Sequence, residues 1–302
     1  RSNLVLMLLK INNMKTKKIT LGQTLIAIVG MALIAFIIVN TDINSSENSI
    51  ANFEEFVLPI DGIVLPIQWN DLGKQMVEVG VIDKEKFEAL YANRGGLNSE
   101  DIKLLYGEDN ENIVMNKENS AILLNILWAF GLSNKNKILE EGPMVDEKYG
   151  GNAGNFASTG GWGLSVGDAM NHYSKYSFVT LTENQQKLVV DISKNIYRPC
   201  CGNSTHFPDC NHGMAMLGLL ELLASQDISE KEIYDIALQV NSYWFPDTYL
   251  TLAEYFEGRG TGWDKINSKE ILGSTYSSGQ GYSKILKKMK PTKIRGGAGC
   301  SV

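Results

Sequence analysis

Residues 198 to 216 read RPCCGNSTHFPDCNHGMAM and hold three of the chain's four cysteines and two of its three histidines. Thiolate and imidazole are the donors that zinc, copper and iron–sulfur centres prefer. Cys200 and Cys201 are adjacent; His206, Cys210 and His212 follow within a dozen residues. Gly202, Asn203, Ser204 and Pro208 let the stretch bend back on itself. Cys201, His206, Cys210 and His212 can then meet around one metal ion. Cys200 is the reserve thiolate, because sequence neighbours seldom both ligate comfortably. Met214 and Met216 add thioethers within about one helical turn, which tilts the ion toward copper, with zinc the other candidate. Met214 is the further reserve ligand. The spacing C-C-x4-H-x3-C-x-H is not a standard zinc-finger spacing.

Two other readings of the same residues stay open. A disulfide from Cys200 or Cys201 to Cys210 would simply staple the loop, leaving the histidines as polar loop residues and Met214 and Met216 as core. Alternatively, Cys210 stands at or just before a helix N-terminus, where unpaired N–H groups and the helix dipole stabilise a thiolate. Cys200, Cys201 and Cys210 would then be catalytic thiols of a thiol–disulfide oxidoreductase, Cys210 or Cys201 attacking and Cys200 resolving. Cys300, in RGGAGCSV, is an incidental free thiol or a mobile one that reaches this loop or a partner. It is not a prenylation signal, which needs four residues from the cysteine onward. His172 reads as an ordinary surface or core histidine that can also close a metal shell. Asp168 and Asp209 are candidates to hold histidine N–H groups. Neither G-x-S-x-G nor H-E-x-x-H occurs, so nothing positive supports hydrolysis.

The chain around the site has 302 residues, 28 basic and 34 acidic. A net charge of −6 argues against nucleic acid as a partner, which demands a concentrated basic surface. Residues 19–39, ITLGQTLIAIVGMALIAFIIV, carry no charge. They are long enough to cross a bilayer as a helix, which takes roughly 20 residues. Lys10, Lys15, Lys17 and Lys18 precede them, and Asp42, Glu47, Glu54 and Glu55 follow. The positive-inside rule places residues 1–18 in the cytoplasm and the main domain outside. The expectation is a single-pass cell-membrane protein with a retained anchor, since no A-x-A-like cleavage site follows the run. Met14 is a candidate start. Residues 40–52 are a polar linker.

From Asp71 onward the pattern is helical. DLGKQMVEVG is the first helix, Asp83 caps the next, and Asn98 or Ser99 caps EDIKLLYG. A longer helix is expected from Asn116 through Phe130, with Gly131 beyond its end; AILLNILWAFGL (121–132) within it reads as buried core. Seven glycines between Gly150 and Gly167 make 148–173 an ordered irregular loop, with Trp162 and Phe156 as anchors to the core or lining for a site. Thr182 and Gln185 form a capping box for a helix that Pro199 ends. Asp209 or Asn211 caps the helix after the cysteines. Ser229 and Glu232 open another that stops at Pro246, and a last one covers 247–257. The fold class is therefore mainly α: an N-terminal transmembrane helix, then a multi-helix extracytoplasmic domain over 53–258. Residues 259–302 read as a flexible Gly/Ser-rich and basic tail.

The stretch NIYRPCCGNSTHFPDCNHGMAMLGLLELLAS resembles a motif of uncharacterised membrane-anchored prokaryotic proteins. The likeness extends over LPIQWNDLGKQMVEVGVIDKEKFEALY, NILWAFGLSNKNKILEEGPM, GNFASTGGWGL and the Gly-Cys ending, most of the chain beyond the anchor. That family implies a membrane anchor and no activity. Pro199, Cys200, Asp209 and Cys210 are distantly similar to the motif of Pro-Cys-Tyr-Cys lipoproteins, whose lipid-attachment cysteine is absent here. The cysteine loop followed by SEKEIYDIALQVNSYWF is distantly similar to the thiol-reductase component of cytochrome c maturation, whose Cys-x-x-Cys this sequence lacks. The leading expectation is a membrane-anchored protein that binds copper or zinc for handling or delivery, with a metal-delivery or redox protein as partner. The alternatives are the oxidoreductase and a partner-binding protein with a stapled loop.

Overall fold

In the computed structural model, which describes residues 54–289, strand β1 (Ile63–Asn70) turns Ile63, Leu65, Ile67 and Trp69 inward and Val64 and Gln68 outward. It pairs antiparallel with β2 (Asn110–Met115), Val64 opposite Val114 and Leu65 opposite Ile113. The register then jumps to Gln68 opposite Asn112. The jump falls at Pro66 and Ile67, where proline has no N–H to give the ladder. This short ribbon is an element that the mainly α reading did not place.

Helices α1 (Leu72–Glu78), α2 (Lys84–Ala92) and α3 (Ser99–Tyr106) follow as expected. Asp83 accepts from the Lys86 N–H, and Asn98 with Asp101 forms a reciprocal box. Gly73 lets α1 touch α3: a Cβ there would stand 2.0 Å from the Leu104 carbonyl oxygen.

Two helices form the centre. α4 (Ser120–Ser133) is buried at every residue from Ile122 onward, and α7 (Asn211–Ser225) is buried along almost its whole length. A helix apolar on all sides must be covered on all sides. Their crossing corrects one expectation: Gly131 lies inside α4, not beyond it. A Cβ on Gly131 would come 2.2 Å from the Met214 carbonyl oxygen, and one on Gly218 would come 2.7 Å from that of Leu127. The glycine is a contact residue and not a stop. Asn116 belongs to the turn after β2, where its side chain accepts from the Glu118 and Asn119 N–H groups. α5 (Lys137–Glu141) follows α4.

α6 (Glu183–Ser193) opens with the Thr182–Gln185 box and packs on α7. It stops at Ser193, six residues before Pro199, because the chain beyond it pairs elsewhere: the Tyr197 N–H bonds to the Leu272 carbonyl at 2.8 Å. α8 (Glu230–Trp244) and α9 (Pro246–Glu257) complete the layer, with Ser229 capping the first and Pro246 at the start of the second.

The flexible tail expected from 259 is corrected as far as Met289. Short helices α10 (Ser268–Ile271), α11 (Ser274–Ser277) and α12 (Gly279–Leu286) occupy it, burying Ile271, Leu272, Tyr282 and Ile285. The small residues that suggested looseness act as caps and contacts. Asn267 and Ser278 accept helix N–H groups, and Gly281 fits where a Cβ would stand 2.2 Å from the Ser274 oxygen. The described residues belong to a unit that begins at Phe53. Among them no helix is long and apolar enough to cross a membrane. The basic segment 1–18, the span expected over 19–39, the linker 40–52 and Cys300 lie outside them.

Candidate metal centre

The chain doubles back immediately after α6. Tyr197 bridges Ser204, the Thr205 N–H bonds to the Ile196 carbonyl at 2.8 Å, and the His206 N–H bonds to the Ser193 carbonyl at 3.0 Å. This hairpin carries Cys200 and Cys201 back beside Cys210, which is the N-cap residue of α7 in place of Asp209 or Asn211. The Sγ atoms of Cys200, Cys201 and Cys210 all lie within 4.8 Å of one another. Cys200 and Cys210 are 3.7 Å apart, and all three thiols are free.

Arg198 holds the arrangement. It is only 1% exposed, among the largest fully buried side chains of the protein. Its Nε donates to Cys210 Sγ at 3.0 Å, Nη1 to the Asn203 carbonyl at 3.2 Å and Nη2 to the Phe207 carbonyl at 3.0 Å. Nη2 also pairs with the Asp209 carboxylate, whose other oxygen accepts from Asn203 Nδ2 at 2.8 Å. One guanidinium therefore ties four points of a single loop together, using the fork geometry that lysine lacks. Gly213, in the first turn of α7, makes room for it: a Cβ there would lie 2.5 Å from Arg198 Cζ.

The protons on the trio are unequally held. Hydrogen bonds from Cys200 and then Cys201 hold Cys210 well below the ordinary thiol range despite its burial; the charge of Arg198 and the neighbouring His212 act in the same sense. Cys200 is pushed far up by its bonds to Cys201 and Cys210 and by burial. Cys201 is drawn down by Cys200 but carried up to about 11 by Cys210 and burial. Of the three, Cys210 thus gives up its proton most readily. A thiophilic cation would displace the remaining protons.

Neighbouring segments enclose the loop. Phe207 packs against Tyr149 and Phe156 of the glycine-rich stretch, with ring centroids 4.8 and 5.3 Å away. The Ser158 N–H reaches the Asp209 carbonyl at 3.3 Å. Trp162 anchors that stretch, donating to the Val81 carbonyl at 2.9 Å and stacking edge-on to Trp128. On another side the first N–H of α12, from Gly279, bonds to the Cys201 carbonyl at 2.8 Å. The segment read as a tail covers the site.

The other candidates fall outside the sulfur cluster. His206 is half-buried, its Nδ1 3.3 Å from Ser193 Oγ, and burial followed by the nearby Lys194 lowers its pKa. His212 is buried against Phe245 and Trp244, centroids 4.4 and 5.8 Å away; it lies beside Cys210, and its Nδ1 has no hydrogen-bond partner. Met214 is fully buried in the core. Both ring nitrogens of His172 are engaged, by Tyr176 Oη and the Val166 carbonyl at 3.0 Å each, so it braces the glycine-rich stretch. Asp168 caps the turn at Met170 and holds no histidine.

Sequence reading missed Arg198, Asn203, Gly213 and the Gly279 end of α12. An arginine next to Pro-Cys-Cys and a glycine in the first turn of an apolar helix were the available signals. Compared with protein-family models, with curated proteins and with solved structures, the chain matches none, so the functional reading rests on the site. What the site can do chemically is plain: three cysteine sulfurs stand close enough to hold one metal ion.

Proposed function

We propose that this protein binds a soft transition-metal ion, copper or zinc, on Cys200, Cys201 and Cys210, and handles or delivers it. The observation that carries the reading is the mutual approach of the three sulfurs. A metal–sulfur bond of about 2.3 Å separates two ligating sulfurs by about 3.8 Å in a tetrahedral site and about 4.0 Å in a trigonal one. The 3.7 Å between Cys200 and Cys210 already has that span. An all-sulfur set favours monovalent copper, whereas zinc calls for a fourth donor. His212, beside Cys210 with a buried and unpartnered ring nitrogen, is the donor we assign to that position. Arg198 opposes the residual negative charge of a thiolate-rich site.

The charge-free run over 19–39, with lysines before it and acidic residues after it, supports placing the site on the outer side of a membrane. A metal-delivery or redox protein there is the partner this reading calls for. The test is elemental mass spectrometry of the full chain purified without chelator, with free thiols counted on the same sample. Stoichiometric metal that Cys210→Ser loses, with helix content unchanged by circular dichroism, is the expected result. No metal after reconstitution of the reduced protein with Cu(I) and with Zn(II) overturns the proposal.

A further inference from the structure

We infer that the same cluster is a dithiol switch, in which Cys200 and Cys210 close into a disulfide by exchange with an external disulfide and so release the ion. The release rests on the metal reading above; the disulfide closure does not. Three observations single out this pair. First, its sulfurs are 3.7 Å apart, so modest side-chain rotation brings them to the bond length of about 2.05 Å. Second, the rival pair Cys200–Cys201 is adjacent in sequence. Consecutive Cα atoms stand about 3.8 Å apart, short of the separation of about 4.4–6.8 Å that disulfides usually span. Third, the Cys201 backbone is tied to the N-terminus of α12 through its carbonyl, and its sulfur contacts the Asn203 carbonyl at 3.9 Å, whereas Cys200 and Cys210 contact each other directly.

The attacking group is Cys210, which caps α7 and accepts the Arg198 Nε–H at 3.0 Å. Such a position stabilises thiolate, the form that attacks disulfides. Cys210 Sγ attacks one sulfur of R–S–S–R; a new S–S bond joins Cys210 to that S–R group, the original S–S bond breaks, and one RS⁻ leaves. Cys200 Sγ then attacks Cys210 Sγ, the Cys200–Cys210 bond forms, and the second RS⁻ leaves. The external disulfide gains two electrons and the cysteine pair loses two. In the metal-free protein the Cys200 proton passes to the departing thiolate. In the loaded protein no proton is needed, and the ion loses two of its three sulfur donors. Cys201 remains as the one thiolate, joined for zinc by His212, too few donors to hold the ion.

The test uses the full chain, reduced and loaded with Zn(II), treated with oxidised glutathione under nitrogen, with a metal-free reduced sample in parallel. A chromophoric chelator reads zinc, and peptide mass spectrometry maps the crosslink. The switch predicts that zinc release keeps pace with a Cys200–Cys210 crosslink and reverses with dithiothreitol. A Cys201→Ser chain should still form the crosslink and a Cys200→Ser chain should stop at a glutathione adduct. Crosslinking at another pair, a glutathione adduct as the wild-type end product, or zinc retained after the crosslink has formed overturns it. If the chain takes up no metal but the metal-free sample forms the Cys200–Cys210 crosslink, only the metal reading falls. If zinc binds and no crosslink forms, only the switch falls. Should a serine variant lose its circular dichroism spectrum, the wild-type crosslink map decides. An oxidised dithiol protein, run beside glutathione, distinguishes a protein oxidant from a small one by which reacts faster.

Discussion

At the first turn of α7 a buried guanidinium lies against a cysteine sulfur and a carboxylate; about three turns further along the same helix, Glu221 lies buried with no cation beside it among the described residues. The two sites meet one electrostatic problem differently. Arg198 keeps its charge because Cys210 Sγ and Asp209 oppose it and backbone carbonyls take its other N–H groups. Glu221 accepts from Asn134 Nδ2 at 2.6 Å through one oxygen, and its other oxygen has no partner of ordinary geometry. Burial raises its pKa to about 8, against the bonds from Asn134 and Asn136 that lower it. A buried ion survives where an opposite charge shares its cavity; where only amides are at hand, the group keeps its proton. The first arrangement sets a cation against the cysteines, and the second joins α7 to the turn after α4.

The comparison breaks most severely at Arg198. Arg198→Met removes the cation and leaves Asp209 and the Cys210 sulfur without their shared partner in a buried loop. The expected loss is about 3–5 kcal/mol of stability by denaturant titration, with metal affinity down by about 10–100-fold. Arg198→Lys keeps the charge but not the fork and should recover only part of each. An unchanged affinity in a folded Arg198→Met protein would remove Arg198 from the account of the site.

Glu221 sharpens the other side of the comparison. A carboxyl whose folded pKa is raised stabilises the fold most below its unfolded pKa, because above it the unfolded chain gains by releasing the proton. Stability should therefore fall as pH rises from the usual 4.5 toward about 8, by up to about 1.4 kcal/mol per pH unit. Glu221→Gln, which needs no proton to stay neutral, should flatten that slope, read as denaturation midpoints across the range. A slope unaffected by the substitution would show that Glu221 has a counter-charge after all.

The smallest effect concerns the cover. Ser278→Ala removes the cap of α12, whose side chain accepts the Gly281 N–H at 3.0 Å, and should cost about 1 kcal/mol. Because α12 holds the Cys201 carbonyl, iodoacetamide should modify Cys201 faster in this variant. Equal alkylation rates would show that α12 does not shield the loop.

Much of this was legible in order along the chain. Asp83, Asn98 and Thr182 announced their helices because a cap acts within about one turn of the residue that makes it. AILLNILWAFGL showed a buried helix because apolar residues on every side leave no solvent face. The crowding of Cys200, Cys201 and Cys210 was visible as bare spacing. What spacing does not carry is which donors converge. His206 and His212 stood as near in sequence as the cysteines, yet His206 turns to Ser193, and His212, though beside Cys210, packs against the Phe245 and Trp244 rings. Arg198 escaped notice because an arginine is ordinarily a surface residue, and only the enclosing loop shows that its partners are carbonyls and a sulfur. Gly131 read as a stop because the helix that needs its bare Cα begins eighty residues later in the sequence. Ser278 and Gly279 read as tail because a glycine- and serine-rich stretch is ordered only by what it lies against. By itself the sequence determined several helix starts, the buried helix around AILLNILWAFGL and the place of the thiols, all of them local consequences of residue type. The tertiary structure decided which sulfurs meet, which cation opposes them and which segment covers them, since those are contacts between parts of the chain that only folding brings together.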